Sequence, residues 1–124
     1  MKVLLGIGGS DDSFTALEET LERATAAGDD LTIGIVENPE SERTPEEVRN
    51  RVVEELADVE LGVDVRTLSG DPGSELLDVA EREGFDQIVL GGGQRSPMGK
   101  IKLGHIAEFV LLNSHVTVKL VRES

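Results

Sequence analysis

The chain has 124 residues, no Cys, and 25 Asp and Glu against 12 Lys and Arg, which gives a net charge of −13. The length fits one domain, which we expect over residues 1–124, and the missing Cys exclude disulfides and thiolate metal sites. The acidic balance argues against binding to duplex nucleic acid or to anionic membranes, because both would repel the protein.

The composition also bears on where the protein works. Its apolar runs are far shorter than the roughly 20 residues that cross a bilayer, and its N-terminus lacks a signal-peptide pattern. We therefore expect a cytoplasmic protein with no membrane partner. Only 4 of the 12 basic residues are Lys. The excess of 25 Asp and Glu over 12 Lys and Arg favours a halophilic source, because acidic surfaces stay hydrated in concentrated salt. An acidic protein from a mesophile is the alternative.

The first half of the chain alternates aliphatic runs with helical periodicity. Lys2–Ile7 is typical of a strand buried on both faces, and a helix closed by Gly28 follows it. A second strand is predicted at Leu31–Val36. Thr44 and Pro45 then begin a second helix as its N-cap and first helical residue. The predicted inward residues of the two helices are Phe14, Leu17, Leu21 and Ala24, then Val48, Val52, Leu56 and Val59.

The second half repeats the pattern. Val63–Leu68 is a predicted third strand, and Asp71 before Pro72 begins the third helix in the same way as the second. Gln87–Gly91 and Val116–Val121 are the predicted fourth and fifth strands, with the fourth helix between them. The predicted inward residues are Leu76, Leu77 and Ala80 in the third helix, then Leu103, Ile106, Ala107, Val110 and Leu111 in the fourth.

Five aliphatic strands alternate with four helices along the chain. This order predicts an α/β fold with a doubly wound, five-stranded parallel sheet, strand order 3-2-1-4-5 and a Rossmann-like winding. Ligands of such sheets bind beyond the carboxyl ends of the strands, where the winding reverses. The glycine-rich turns after strands one and four meet at that point, which brings Gly6–Ser10 beside Gly91–Gly104.

The turn after the fourth strand is the predicted ligand site. Its three consecutive glycines allow a ligand to approach the backbone closely, and the helix that follows presents unpaired amides. The net charge is −16 through residue 90 and +3 from residue 91 onward. A locally basic turn on an acidic protein predicts a site for a small anion. The polar residues of this turn are Gln94, Arg95, Ser96, Lys100 and Lys102.

The better-known phosphate motifs do not fit this turn. Gly99-Lys100 lacks the first glycine and the hydroxyl residue of a Walker P-loop at the required spacing. The dinucleotide fingerprint lacks its third glycine, which falls on Asp11 after the first strand and on Ser96 after the fourth. A phospho-acceptor receiver domain shares the element order, but Asp71 is better explained as a helix cap.

Catalytic and metal sites find no support in the sequence. His105 and His115 are ten residues apart with no Cys or carboxylate in ligand spacing, so no metal is predicted. Ser10, Ser96 and His105 do not have the spacing of a nucleophilic set, and no catalytic residue is predicted. His105, at a helix start, is a candidate to contact a bound anion; a surface role is the alternative.

The element order and length resemble the universal stress protein family over the whole chain. The ATP-binding members of that family carry a glycine, two residues, a second glycine, nine residues, and then a glycine followed by Ser or Thr. The chain keeps this spacing with Gly91, Gln94, Gly104 and His105. Gln94 replaces the second glycine, and His105 replaces the hydroxyl residue. The family's Asp-Gly-Ser after the first strand is Gly-Gly-Ser at positions 8–10, so the acid that helps to hold the nucleotide is missing.

The resemblance implies ATP or another adenine nucleotide as the ligand. It implies backbone contacts from Ile35 to the adenine, and from Gly91 and Gly104 to the ribose and phosphates. The loop's charge and position add phosphate contacts from its basic and hydroxyl side chains, and Gly93 supplies the close approach lost at Gln94. The predicted binding residues are Ile35, Gly91, Gly93, Arg95, Ser96, Lys100, Gly104 and His105.

Family members are often dimers paired through the last strand. The resemblance therefore implies a homodimer through Val116–Val121, an aliphatic edge whose only charge is Lys119. We expect a non-enzymatic, dimeric stress-response module that binds an adenine nucleotide or a related anion. A ligand-free member that acts through protein contacts is one alternative, and a weak nucleotide hydrolase is another. Gly91→Val is expected to remove binding and to leave the fold intact.

Overall fold

The structure is a computed structural model that describes residues 1–39, 41–92, 94–95 and 101–122, with the backbone alone for 94–95 and 101–102. The helices are α1 (Asp11–Ala27), α2 (Pro45–Leu56), α3 (Pro72–Arg82) and α4 (His105–Asn113). None of these helices combines the length and the apolar character that a membrane crossing requires. The strands are β1 (Lys2–Ile7), β2 (Asp30–Val36), β3 (Val63–Leu68), β4 (Gln87–Gly91), β5 (Gln94–Arg95), β6 (Ile101–Lys102) and β7 (Thr117–Val121).

The main sheet has the predicted winding. β3, β2, β1, β4 and β7 lie side by side in that order, and each pairing is parallel. Because β7 is the predicted fifth strand, the strand order 3-2-1-4-5 and the α/β fold class are confirmed. β1 lies in the centre because its aliphatic side chains are buried on both faces of the sheet.

An apolar core lies on each face of the sheet. Leu5 and Ile33 belong to the core that α1 and α2 cover, together with buried residues such as Leu17 and Val52. Leu4 belongs to the core on the opposite face, which α3 and α4 cover. Successive side chains of β1 therefore enter different cores, as the alternation of a strand requires. The two cores hold the sheet between the helix layers and thereby fix the position of its carboxyl end.

The starts of α2 and α3 carry the predicted caps. Thr44 and Glu47 form a capping box, in which Thr44 Oγ1 accepts a hydrogen bond from Glu47 N at 3.2 Å. Asp71 accepts a hydrogen bond from Ser74 N at 3.1 Å. This hydrogen bond holds the pKa of the Asp71 carboxyl below its usual value, because it stabilises the charged form. The interpretation of Asp71 as a helix cap is confirmed.

Three predicted inward residues are placed differently. Val59 lies beyond the end of α2, in a turn where its N–H donates to Leu56 O at 3.0 Å, and it reaches the core from there. Leu103 precedes α4, which begins at His105. Leu111 is exposed because α4 flanks the edge strand β7, and no described strand lies beyond it. Helical spacing alone cannot distinguish a further helical turn from a loop that returns to the core.

The amino-terminal end of the sheet is closed by polar contacts. Lys2 Nζ donates to Glu83 O at 2.5 Å and lies 4.6 Å from the centroid of the Phe85 ring. Asp86 accepts a hydrogen bond from Lys2 N at 2.8 Å. Arg66 pairs with Glu83 and lowers the pKa of that carboxyl by hydrogen bonding to it. These contacts tie this end together, and the glycine-rich turns lie at the opposite end.

Candidate functional site

The turns after β1 and β4 meet at the carboxyl end of the sheet. Gly91, the last residue of β4, faces the first turn of α1, where an ideal Cβ on Gly91 would lie 2.8 Å from both the carbonyl carbon and Oδ2 of Asp12. Asp12 is only 6% exposed, so a carboxyl group lies buried beside this turn. The strand and the helix approach each other so closely that a side chain at position 91 has no room. Gly91 therefore has a packing role of its own.

Ile35 lies where the ladder between β1 and β2 ends. It pairs there with Ile7, while the ladder between β2 and β3 continues one residue further to Val36 and Leu68. The side chain of Ile35 is buried in the core. Beyond Ile35, the backbone of β2 borders the turn after β1 without a ladder partner on that side in the described sheet. This is the position at which the family resemblance implies a backbone contact to an adenine.

The helices that follow β1 and β4 start differently from the other two. Ser10 and Gly104 are the N-cap residues of α1 and α4, and no side-chain hydrogen bond caps either helix within the described ranges. α2 and α3 are capped by Thr44 and Asp71. A helix start without a capping side chain presents its first N–H groups and a partial positive charge to an anion. α1 has two Asp in its first turn and α4 has one acidic residue, Glu108, so α4 is the more favourable of the two for an anion.

The remaining predicted binding residues lie in the turn after β4. Gly93, Ser96 and Lys100 fall outside the described residues. Arg95 belongs, with Gln94, to the two-residue strand β5, which pairs antiparallel with β6. The sequence predicted a loop at this hairpin, because strands of two residues are too short to show a periodicity.

Arg43 is a residue of this region that the sequence analysis missed. Its Nη1 donates to Gly9 O at 2.6 Å, and its Nη2 lies 3.1 Å from Asp11 Oδ1. Its Cζ lies 5.2 Å from the centroid of the Phe14 ring, and Arg51 Cζ lies 4.1 Å from the same centroid. Arg43 thereby ties the loop between β2 and α2 to the turn after β1. Its partners are 34 and 32 residues away in the chain, and no local pattern marks such a contact.

The same loop covers the glycines of the turn after β1. An ideal Cβ on Gly8 would lie 3.1 Å from both Cβ and Nδ2 of Asn38. Gly9, with a φ of +94°, has Ser41 Oγ 2.8 Å from its ideal Cβ. Asn38 therefore occupies the space into which an acidic side chain at position 8 would project. Gly8 has no side chain where the family carries an acid, and Asn38 fills the space that this side chain would occupy.

The two histidines lie apart. His105 is the first residue of α4 and lines a groove between α3 and α4, with Asp71 on the other side. His115 is exposed, and its Nε2 lies 3.9 Å from Glu81 Oε1. In the part of the chain that the structure describes, no three or more His, Asp or Glu are grouped so that they could hold a metal ion.

Comparison with known sequences places the chain among relatives of one family. The sequence model of the universal stress protein family matches residues 1–122. A universal stress protein of Methanocaldococcus jannaschii is 30% identical over 99 residues, which cover 77% of this chain and 61% of the relative. Universal stress protein YxiE of Bacillus subtilis is 29% identical, with 98% of each chain covered. The chain spans from 39% to 66% of the length of three archaeal relatives that it matches.

Solved structures of universal stress proteins share the fold. One in complex with cAMP superposes with a TM-score of 0.74 at 20% identity, covering 98% of this chain and 95% of that chain. The Archaeoglobus fulgidus protein in complex with dAMP gives 0.72 at 19% identity, with 98% and 97% covered. A family member from Arabidopsis thaliana with AMP bound gives 0.67 at 18% identity, with 100% and 92% covered. Because the family's sequence model spans residues 1–122, this chain belongs to the universal stress protein family.

Proposed function

We propose that the chain works as one domain, a non-catalytic, cytoplasmic stress-response module that binds an adenine nucleotide such as ATP or AMP, or a related anion. The observation that carries this proposal is the start of α4. The helix begins at His105, its N-cap is Gly104, and no side-chain hydrogen bond caps it among the described residues; it follows the glycine-rich turn that meets the turn after β1. This arrangement suits a phosphate group. The complexes of other family members with AMP, cAMP and dAMP support an adenine nucleotide.

The proposed contacts follow the geometry of the two turns. The backbone at the end of β2 contacts the adenine, and the glycines after β4 allow the ribose and phosphates to approach. The side chains of the basic turn bind the phosphates, and no metal is proposed. The proposed binding residues are Ile35, Gly91, Gly93, Arg95, Ser96, Lys100, Gly104 and His105.

Nucleotide binding is tested by isothermal calorimetry and thermal unfolding with ATP, AMP and cAMP at fixed, stated salt. A nucleotide at 100 times its Kd should stabilise the fold by about 2.7 kcal/mol. The double variant Arg95→Ala, Lys100→Ala should weaken binding by about a hundredfold, because each of the two phosphate contacts contributes roughly 1.4 kcal/mol, a factor of ten. Arg23→Ala, which removes an exposed basic residue of α1 with no ion pair among those found, is the matched control and should bind normally.

Two outcomes would contradict the proposal. If no nucleotide stabilises the protein at any salt concentration, the site does not bind this class of ligand. If the protein releases phosphate steadily from ATP, the non-catalytic part of the proposal fails and a weak hydrolase takes its place.

The second candidate function is a ligand-free module that acts through protein contacts. One observation favours it: the loop between β2 and α2 lies over the turn after β1, with Asn38 against Gly8 and Arg43 bound to Gly9. This loop lies beside the proposed adenine position at the end of β2. Absence of nucleotide binding together with an intact fold would support this candidate.

We further propose that the protein is a homodimer paired through β7. β7 pairs with β4 on one side, and its other edge has no strand partner in the described residues. Most of this strand is aliphatic, and Lys119, its only charge, lies 3.5 Å from Glu19. An open aliphatic edge favours pairing with a second copy.

Thr117→Lys should shift the protein toward monomer, because an edge lysine discourages strand pairing and the two copies would bring like charges together. Sedimentation velocity at several protein concentrations measures the shift. Thr67→Lys is the matched control: Thr67 is also an exposed Thr on an edge strand, but on β3 at the opposite side of the sheet. Equal behaviour of the two variants and the wild type would contradict pairing through β7.

A further inference from the structure

The outer surface of α4 differs from that of the other helices. α1 and α2 each carry six charged residues and α3 carries four, whereas α4 carries only Glu108 besides His105. Three of its apolar side chains are exposed: Phe109 by 41%, Leu111 by 45% and Leu112 by 74%. On a chain of net charge −13, an apolar helix surface is an exception that solubility does not explain.

Part of this surface forms a groove with the start of α3. The groove has a volume of about 440 Å³, and Phe109 and Leu112 are its apolar residues toward solvent. Its depth comes from Gly73, whose ideal Cβ would lie 2.4 Å from Cδ1 of Phe109, so that the ring packs directly on the backbone of α3. A glycine in α3 and an aromatic residue in α4 therefore shape the groove together.

The rim of the groove is acidic. Asp71 and Glu108 line it together with His105, and no Lys or Arg is among its described lining residues. Ser74 N donates a hydrogen bond to the Asp71 carboxylate and lowers its pKa, because the bond stabilises the charged form. The groove thus combines exposed apolar side chains with negatively charged residues at its edge. It lies on a protein that is acidic as a whole.

We propose that this groove binds an amphipathic segment of a partner protein, in which apolar side chains are flanked by Lys or Arg. The apolar side chains would pack on Phe109 and Leu112, in the manner of a helix in an apolar groove. The basic side chains would face Asp71 and Glu108, and charge complementarity would guide the approach. A second copy of this chain fits this groove less well, because its own α4 carries no Lys or Arg that could face Asp71 and Glu108. The groove shares His105 with the proposed nucleotide site, and the peptide is proposed to bind in the absence of nucleotide.

A synthetic peptide serves as the probe, with Leu on one helical face, Lys on the other, and about 14 residues or roughly four helical turns. Fluorescence anisotropy without nucleotide should show binding to the wild type. Leu112→Glu should weaken binding by about tenfold or more, equivalent to roughly 1.4 kcal/mol, although it makes the protein more negative. Val53→Glu is the matched control, since Val53 is 53% exposed on α2 and the variant gains the same charge away from the groove. It should bind as the wild type does or slightly more tightly.

An added Glu should strengthen binding of a basic peptide through the overall charge, but at position 112 it should weaken binding in the groove. The two Glu variants therefore distinguish these effects. If both Glu variants bind the peptide equally well, the attraction is to the overall charge and the proposal is wrong. No binding to the wild type would also overturn it. If Leu112→Glu instead converts a dimer to a monomer in sedimentation, the groove is occupied by a second copy and not by a partner.

A second variant tests the groove without any change of charge. Gly73→Ala should displace the Phe109 ring and weaken peptide binding, with the helix content unchanged by circular dichroism. Normal binding by a folded Gly73→Ala protein would contradict the proposed role of Phe109.

Discussion

A valine at position 91 should destabilise the protein by about 3 kcal/mol, because the added atoms collide with the first turn of α1. The ideal Cβ of residue 91 already lies 2.8 Å from the carbonyl carbon of Asp12, which is backbone and cannot rotate away. The sequence predicted that Gly91→Val would remove ligand binding and spare the fold. The structure contradicts the second half of that prediction, since Gly91 is needed for the packing of β4 on α1.

Urea unfolding measures this loss of stability. Gly62→Val is the matched control, because no atom outside its chain neighbours lies within 4 Å of the ideal Cβ of Gly62. It should change the free energy of unfolding by less than about 0.5 kcal/mol. If the Gly91 variant is as stable as this control, α1 and β4 are not packed as described. Because Gly91→Val is expected to disturb the packing of β4 on α1, the loop variants at Arg95 and Lys100 are better probes of nucleotide binding than position 91.

Replacement of Leu76 by alanine should destabilise the protein by about 4 kcal/mol, near the upper end for a buried leucine. Leu76 is fully buried and packs from α3 onto two glycines of the sheet. Its Cδ1 lies 2.9 Å from the ideal Cβ of Gly6, and its Cδ2 lies 3.4 Å from that of Gly34. Neither glycine has a side chain that can move into the vacated space. The sheet backbone therefore cannot close the cavity, although Leu90 and Leu68 border it, and chemical denaturation measures the loss of stability.

A double-mutant cycle with Gly6→Ala tests this account. In the wild type, Gly6→Ala should cost about 2 kcal/mol because its Cβ collides with Leu76 and Leu90. In the Leu76→Ala background this loss should fall by about 1 kcal/mol or more, since the cavity accepts the methyl group and lets Leu90 move. Leu17→Ala is the control background, because Leu17 lies in the core on the other face of the sheet. Equal losses in all three backgrounds would show that Leu76 and Gly6 do not interact.

Most of the fold could be predicted from the sequence, because its signals are local. Aliphatic runs mark buried strands, and Thr44-Pro45 and Asp71-Pro72 mark helix starts whose caps the structure confirms. The alternation of strands and helices then leaves few topologies. Val59 and Leu111 were misplaced because their positions depend on where an element ends in three dimensions.

The surroundings of the candidate site could not be predicted, because they depend on distant contacts. The contact of Arg43 with Gly9, the position of Asn38 over Gly8, and the packing of Gly91 on Asp12 all join segments that are separated in sequence. Sequence reasoning found the two glycine turns and their meeting, which follow from topology. It did not find which side chains surround them, because no periodicity records a contact across 34 residues.

The central position of β1 has a consequence for biosynthesis. β1 can pair with β2 soon after both strands have been synthesised, but Val3 pairs on its other side with Gln87, which is synthesised 84 residues later. At 5–20 residues per second, this interval of 84 residues lasts roughly 4 to 17 s. A nascent chain that contains β1, β2 and β3 exposes a bare aliphatic edge in the middle of the future sheet during this time. Newly made protein is therefore most prone to aggregate before β4 has been synthesised.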